Sequence, residues 1–176
     1  MKKILTTMLV AAGLATSSQA VIVGASIGYL TDAKEAYYTA RVGSEFSSTN
    51  SVTHIGEFEI GYTSQTDGGV RGEFMPVTAN YRAQFAGTDK VSYYAGFGAG
   101  FARTSVRIPG SGVRFISDSG TSFALQGFVG VSFRFSDTAS LDLGARYIWL
   151  DDVNLLGAKI HLGDDTSIEA GLHFKF

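Results

Sequence analysis

Beyond residue 20 the chain alternates apolar residues with polar or small ones at a period of two, the mark of β-strands whose two faces meet unlike surroundings. In the last strand Ile168, Ala170, Leu172, Phe174 and Phe176 share one face, and Ser167, Glu169, Gly171, His173 and Lys175 share the other. The stretch from Thr121 to Phe135 repeats the pattern, as do Leu141 to Trp149 and Val91 to Phe101. Further strands are predicted near 21–30, 36–46, 54–63 and 70–86. The fourth loses phase, since Val77, Ala79, Tyr81, Ala83 and Phe85 lie on one parity while Val70 and Phe74 lie on the other. Pro76 sits at the switch, where a bulge would restore the phase and tolerate a missing N–H donor.

Eight strands of about ten or more residues suffice to cross a bilayer, because a transmembrane strand needs about 9–11. Residues 64–69, 103–120 and 151–166 read as longer loops, and 87–89 and 136–140 as short turns. Residues 47–53 form a somewhat long turn on the same side as the short ones. An even strand count brings both ends of the chain to that side. The predicted fold is therefore all-β, an eight-stranded antiparallel up-and-down transmembrane β-barrel.

The first twenty residues follow a different pattern. A basic start at Lys2 and Lys3, an apolar run from Ile4 to Ala15 and small residues at Ser18 and Ala20 are expected of a secretory signal peptide, here residues 1–20, exported through the Sec route. Residues 21–176 would then be the barrel domain. Without Lys2 and Lys3 the 14 basic residues fall to 12, against 16 acidic ones, and none cluster strongly, which argues against nucleic acid as a partner. There is no cysteine, which excludes disulfides and thiol chemistry. Charged residues make up 17% of the chain, below the roughly 25% of soluble domains, while it holds 22 Gly, 13 Phe and 8 Tyr.

Alternation alone does not say which face meets which solvent. A soluble periplasmic lipocalin-like lipid binder would point its apolar face inward. Here, however, the other face is mostly Gly, Ser, Ala and Thr with isolated charges, a composition suited to a cramped lumen. The Gly96-x-Gly98-x-Gly100 series would make room there for long side chains from neighbouring strands. Aromatic residues also gather at both strand ends, as membrane-interface belts require. Tyr29, Tyr38, Phe74, Phe101, Phe123, Tyr147 and Trp149 fall toward one end, and Phe46, Tyr81, Phe85, Tyr93, Phe135, Phe174 and Phe176 toward the other.

Four segments carry a family likeness: Tyr93 to Arg103, Phe128 to Phe135, Leu141 to Tyr147 and Leu172 to Phe176. In them the chain resembles the small outer-membrane β-barrels, the opacity proteins and OmpA- and OmpX-type barrels, over its whole length. The resemblance implies an integral protein of the outer membrane of a Gram-negative, diderm bacterium with periplasmic termini. It implies contact with outer-membrane lipid and lipopolysaccharide, and with periplasmic chaperones and the barrel-assembly machinery during export. By the same resemblance Phe174 and Phe176 serve as the barrel-assembly signal.

The inward charges form a candidate lumen network of Arg41, Glu45, Glu57, Glu59, Arg82, Arg134, Asp142, Arg146, Glu169 and Lys175. Pairing across adjacent strands would bring Arg134 to Asp142, Arg41 to Glu59 and Arg146 to Glu169, filling the lumen with ion pairs. Of the three histidines, His54 and His173 fall toward the periplasmic end. Only His161 could serve a lipid-A-modifying enzyme, and Gly163 stands where a His-x-Ser element would need its serine. His161 with Asp164 and Asp165 lacks a third well-spaced metal ligand. No catalytic residue, metal or cofactor is therefore expected. The chain reads as a non-enzymatic barrel with a structural or surface-interaction role, such as adhesion or recognition, carried by extracellular loops. The basic loop 103–120, with Arg103, Arg107 and Arg114, and the acidic loop 151–166 are the candidate contacts. A narrow passive channel for small solutes is the competing reading.

Overall fold

The structure is a computed structural model that describes residues 20–109, 115–155, 158–160 and 163–176. Its strands are β1 (Val21–Leu30), β2 (Glu35–Ser48), β3 (Val52–Asp67), β4 (Val70–Ala86), β5 (Val91–Pro109), β6 (Phe115–Arg134), β7 (Ala139–Leu150), β8 (Val153–Leu155), β9 (Ala158–Ile160) and β10 (Gly163–Lys175). Eight of them close a barrel in the order β1-β10-β7-β6-β5-β4-β3-β2, with every ladder antiparallel. β8 and β9 form a small hairpin in the β7–β10 connection, where β8 lies against β6. The closing seam pairs β1 with β10 from Ile22↔Lys175 to Leu30↔Ser167. Reciprocal backbone bonds between Val21 and Phe176, at 3.1 and 2.9 Å, finish it.

The period-two pattern becomes the inside and outside of this barrel. Along β1 buried and exposed residues alternate without a fault. The exposed positions are apolar to a degree no water-facing surface carries: Phe97, Phe101 and Ile168 are 64%, 63% and 67% exposed. Tyr29, Tyr38, Phe101, Phe123 and Tyr147 stand outward toward one end, with Trp149 half-buried beside them. Phe46, Phe85, Tyr93, Phe135, Phe174 and Phe176 stand outward toward the other.

Several boundaries differ from the sequence reading. Residues 64–69 are not a loop, because β3 and β4 run on to a two-residue turn at Gly68-Gly69, both at positive φ (54° and 84°), as the tight primed hairpin turn requires. The 103–120 segment is largely a ladder extending β5 and β6 as far as Pro109↔Phe115, so the longest projection is a two-stranded wall. The 151–166 segment contains β8, β9 and the first residues of β10. The turn expected over 47–53 shrinks to 49–51, closed by the Thr49 N–H donating to the Val52 carbonyl at 2.8 Å.

Pro76 carries no bulge. Ile60↔Val77 and Thr63↔Phe74 keep one register, and Pro76 faces the lumen between outward Met75 and Val77. Phe74 therefore points inward and does not belong to the outer aromatic belt. It packs against the buried cluster of Leu30, Tyr37 and Ile148, a drier destination than phase alone discloses. The true irregularity lies in β2, between Glu45 and Ser47, around Phe46, which stands on the outward parity of that strand.

The absence of native cysteine makes the topology directly testable. Ser117→Cys, high on the β6 extension, is expected to react with a membrane-impermeant maleimide on intact cells. Thr138→Cys, in the opposite turn, is expected to react only after the outer membrane is permeabilised.

Candidate functional site

The lumen is the densest chemistry in the molecule, and strand parity puts it there. Arg41, Glu57, Glu59, Arg82, Asp142 and Arg146 are all buried, on β2, β3, β4 and β7. At the centre the Arg146 guanidinium spans the barrel. Its Nη2 donates to Glu59 Oε2 at 3.0 Å and to Glu169 Oε2 at 3.1 Å, and its Nε donates to Glu169 Oε1 at 2.6 Å. Because β7 and β3 lie four places apart in an eight-strand ring, this contact crosses the full diameter. Arg41 Nε lies 3.6 Å from Glu59 Oε2, and its Nη2 donates to Ser26 Oγ at 3.2 Å. Gln126 donates to Glu59, Thr78 and Asn80 at 3.1, 2.9 and 2.7 Å, which ties β6 and β4 into the same knot.

A second layer lies nearer the periplasmic end. Arg82, fully buried, donates to Asp142 Oδ2 at 2.8 Å and to His173 Nδ1 at 3.2 Å, with its guanidinium 3.9 Å from the centre of the Tyr94 ring. A side chain at Gly130 or Gly144 would collide with Tyr94, and one at Gly96 with Phe128. Lumen glycines thus make room for aromatic rings as well as for charged chains. Toward the outer end the apolar cluster of Leu30, Tyr37 and Ile148 covers the centre, joined by Phe74 and Leu150.

The other expected network members sit at the margin. Lys175 bonds Glu45 at 2.7 Å on the periplasmic rim, half in solvent. Arg134 is exposed at that rim opposite Ser140, while Asp142 faces Ser132 and is taken by Arg82, so the Arg134–Asp142 pair expected from the sequence does not form. The reason is depth: Arg134 lies beyond the last buried layer. In the buried layers three arginines face four carboxylates. Glu57 is the odd one, with neither oxygen hydrogen-bonded among the described residues.

The acids of the last connection are engaged in holding the rim. Asp165 accepts the backbone N–H groups of Asp32 and Ala33, both at 3.0 Å, and pins the β1–β2 turn. Asp164 accepts from Tyr147, and Lys159 pairs with Asp152 at 2.7 Å, which raises the Lys159 pKa. Ser167 is buried, and His161 lies outside the described residues, as does Arg114. Among the described residues no group of acids and histidines is arranged to hold a metal ion.

One arrangement escaped the sequence reading. His54 turns outward near the periplasmic boundary, with its Nδ1 2.6 Å from the Tyr81 hydroxyl and its ring stacked on Tyr81 at 5.9 Å. The even parity of β3, which turns Phe58 and Tyr62 outward, was the signal that could have placed it.

Comparison with known proteins bears on this geometry. The sequence matches the family described as outer membrane protein beta-barrel domain over residues 4–176. No curated protein matches it. Neisserial surface protein A shares the fold with a TM-score of 0.67 at 20% identity, over 91% of this chain and 98% of its own. A major outer membrane protein from Thermus thermophilus gives 0.61 at 11% identity, over 91% and 100%. Ail, the attachment invasion locus protein of Yersinia pestis, gives 0.53 at 22% identity, over 90% and 97%.

The lumen makes a sharp stability prediction. Arg146→Met leaves Glu59 and Glu169 with Arg41 as their one shared cation in a dry interior and is expected to lower unfolding free energy by about 3–5 kcal/mol, the usual cost of breaking a buried pair. Glu57→Gln, which removes the unmatched carboxylate, is expected to leave stability unchanged or raise it. Urea unfolding in lipid vesicles, followed by the heat-dependent gel shift, checks both.

Proposed function

This chain belongs to the outer membrane protein beta-barrel domain family and resides in the outer membrane, and from that premise we propose that it is a non-conducting, non-enzymatic barrel acting at the cell surface. The observation that carries the reading is the contrast between its two ends. Arg146 bridges β7 to β3 across the lumen and the Leu30–Tyr37–Ile148 cluster roofs that bridge, while β3 to β6 rise well past the other strands. A barrel of eight strands has an interior just wide enough for side chains to fill. Here the central ion pairs and the apolar roof fill it, which supports a rigid scaffold closed to solute.

Function then falls to the projecting wall of β5 and β6 and to the β8–β9 hairpin, which lie beyond the outer ends of the shorter strands. Contact with a surface, a glycan or another protein suits such a wall better than catalysis, because Asp164 and Asp165, which follow His161 in the sequence, are already engaged at the rim. Phe174 and Phe176, outward-facing at the periplasmic end of the closing strand, are the residues we assign to recognition by the barrel-assembly machinery, and residues 1–20 are the signal we expect to direct export.

Planar-bilayer recording on the purified full chain tests the closed lumen. The expected result is no unitary conductance above the bare bilayer, for the native chain and for Glu57→Gln alike. Discrete ion-carrying steps in the native chain would make it a narrow channel instead.

A further inference from the structure

The outer mouth of the barrel holds a cup whose two sides carry unlike chemistry. About 380 Å³ in volume, it stands on the apolar roof, with Leu30 and Ile148 buried beneath it and Phe74 and Leu150 half-buried at its surface. That volume is in the range of small-molecule sites and too small for a folded partner. On the side of the rising wall, Thr63 of β3, Phe74 of β4 and Thr104 of β5 form one cross-strand row on the inward parity. Neither threonine hydroxyl has a hydrogen-bond partner among the described residues, although Thr63 is only 8% exposed. A buried hydroxyl without a partner is costly, so the row suits a ligand that sets a polar group beside an apolar one.

The low side of the mouth is acidic. Asp32 in the β1–β2 turn, Glu35 at the start of β2, and Asp164 and Asp165 at the start of β10 border the cup, with Glu73 on the wall. Among the described residues that line it there is no Lys, Arg or His. Three of the acids are engaged: Asp165 holds the Asp32 and Ala33 N–H groups, Asp164 accepts from Tyr147, and Glu73 lies 3.0 Å from Arg71 Nε. The carboxylates of Asp32 and Glu35 make no hydrogen bond or ion pair among the described residues. Lys34, between them in sequence, is exposed in the turn and does not line the cup. Two free acids thus border an apolar floor with no cation of the protein's own beside them.

We propose that this cup binds a small hydroxyaryl amine, with the ring on Phe74 and Leu150, the ring hydroxyl at Thr63 and Thr104, and the ammonium at Asp32 and Glu35. An ammonium donates to carboxylates through charge-assisted bonds stronger than neutral ones, and an aromatic ring packs on Phe74 by its face or edge. Each half of such a ligand answers one side of the cup, which neither a fatty chain nor a bare cation does. The inference uses the apolar roof as its floor. A conducting chain that still bound the amine would fell the closed-lumen reading alone.

Isothermal titration calorimetry of the full chain in phosphatidylcholine nanodiscs tests this, with tyramine as the probe and empty nanodiscs subtracted. Saturable binding is expected. Tyrosol, which carries a neutral hydroxyl in place of the ammonium, is expected to bind the native chain roughly 10-fold more weakly, and the double variant Asp32→Asn/Glu35→Gln to weaken tyramine by a similar factor. Thr63→Val is expected to weaken tyramine several-fold and to leave phenethylamine, which lacks the ring hydroxyl, unchanged. Asp137→Asn, in the opposite turn, is the control expected to bind as the native chain does, and the heat-dependent gel shift verifies that each variant is folded. The absence of saturable heat from tyramine at millimolar concentration would overturn the proposal. So would tyrosol binding as tightly as tyramine, or an unaffected double variant, since the cup would then be a plain apolar pocket.

Discussion

A sheet immersed in hydrocarbon has no water to satisfy its edges, and everything else in this protein follows from that. The β1–β10 seam removes the last free edge, and the reciprocal Val21–Phe176 bonds carry the ladder to the end of the chain. Once the ring is closed at eight strands its bore is fixed, and with it the volume that inward side chains must fill. The outward face is relieved of any need for polarity, which is why Phe97 and Ile168 are exposed without penalty. A chain with few charges can then place them inside.

The interior is built in layers that answer different demands. Near the periplasm Arg82, Asp142 and His173 sit with the Tyr94 ring beneath the guanidinium. At the centre Arg146 and Arg41 share Glu59 and Glu169. Toward the cell surface the polar chemistry gives way to Leu30, Tyr37, Phe74 and Ile148. Removing water from the central ion pairs strengthens their mutual attraction and raises the cost of leaving any one unmatched. The apolar roof is thus part of the electrostatics of the network below it.

Much of this architecture was legible in the chain, because a period of two sorts residues between lipid and lumen regardless of sequence neighbours. Arg41 with Glu59 and Arg146 with Glu169 were readable because they sit on adjacent strands. Arg146 with Glu59 and Arg82 with Asp142 were not, since they cross the bore, and no local spacing encodes which strand lies opposite. Phe74 misled for a related reason: an aromatic on the polar parity looks like a slipped phase, when the lumen simply has an apolar storey at that height. The length of β5 and β6 was hidden by Gly, Ser and Arg between 103 and 120, residues that suit a loop by composition yet pair as a ladder once both sides are free of the bilayer.

The arginine that reaches across the bore also bears on how the ring is completed. Arg146 on β7 touches partners on β3 and β10, strands that arrive early and last along the chain. A slip of one residue at the closing seam would turn the Glu169 side chain to the lipid, and a slip of two would move it about 7 Å along the strand and out of reach of the fork. Either error takes Glu169 from the Arg146 fork and leaves Glu59 as the carboxylate that holds it. The lumen therefore proofreads the seam: only one alignment of the last strand lets the barrel shut with the Arg146–Glu169 fork made, so part of the information that sets the final register is stored at the centre of the molecule, far from the edge where it is used.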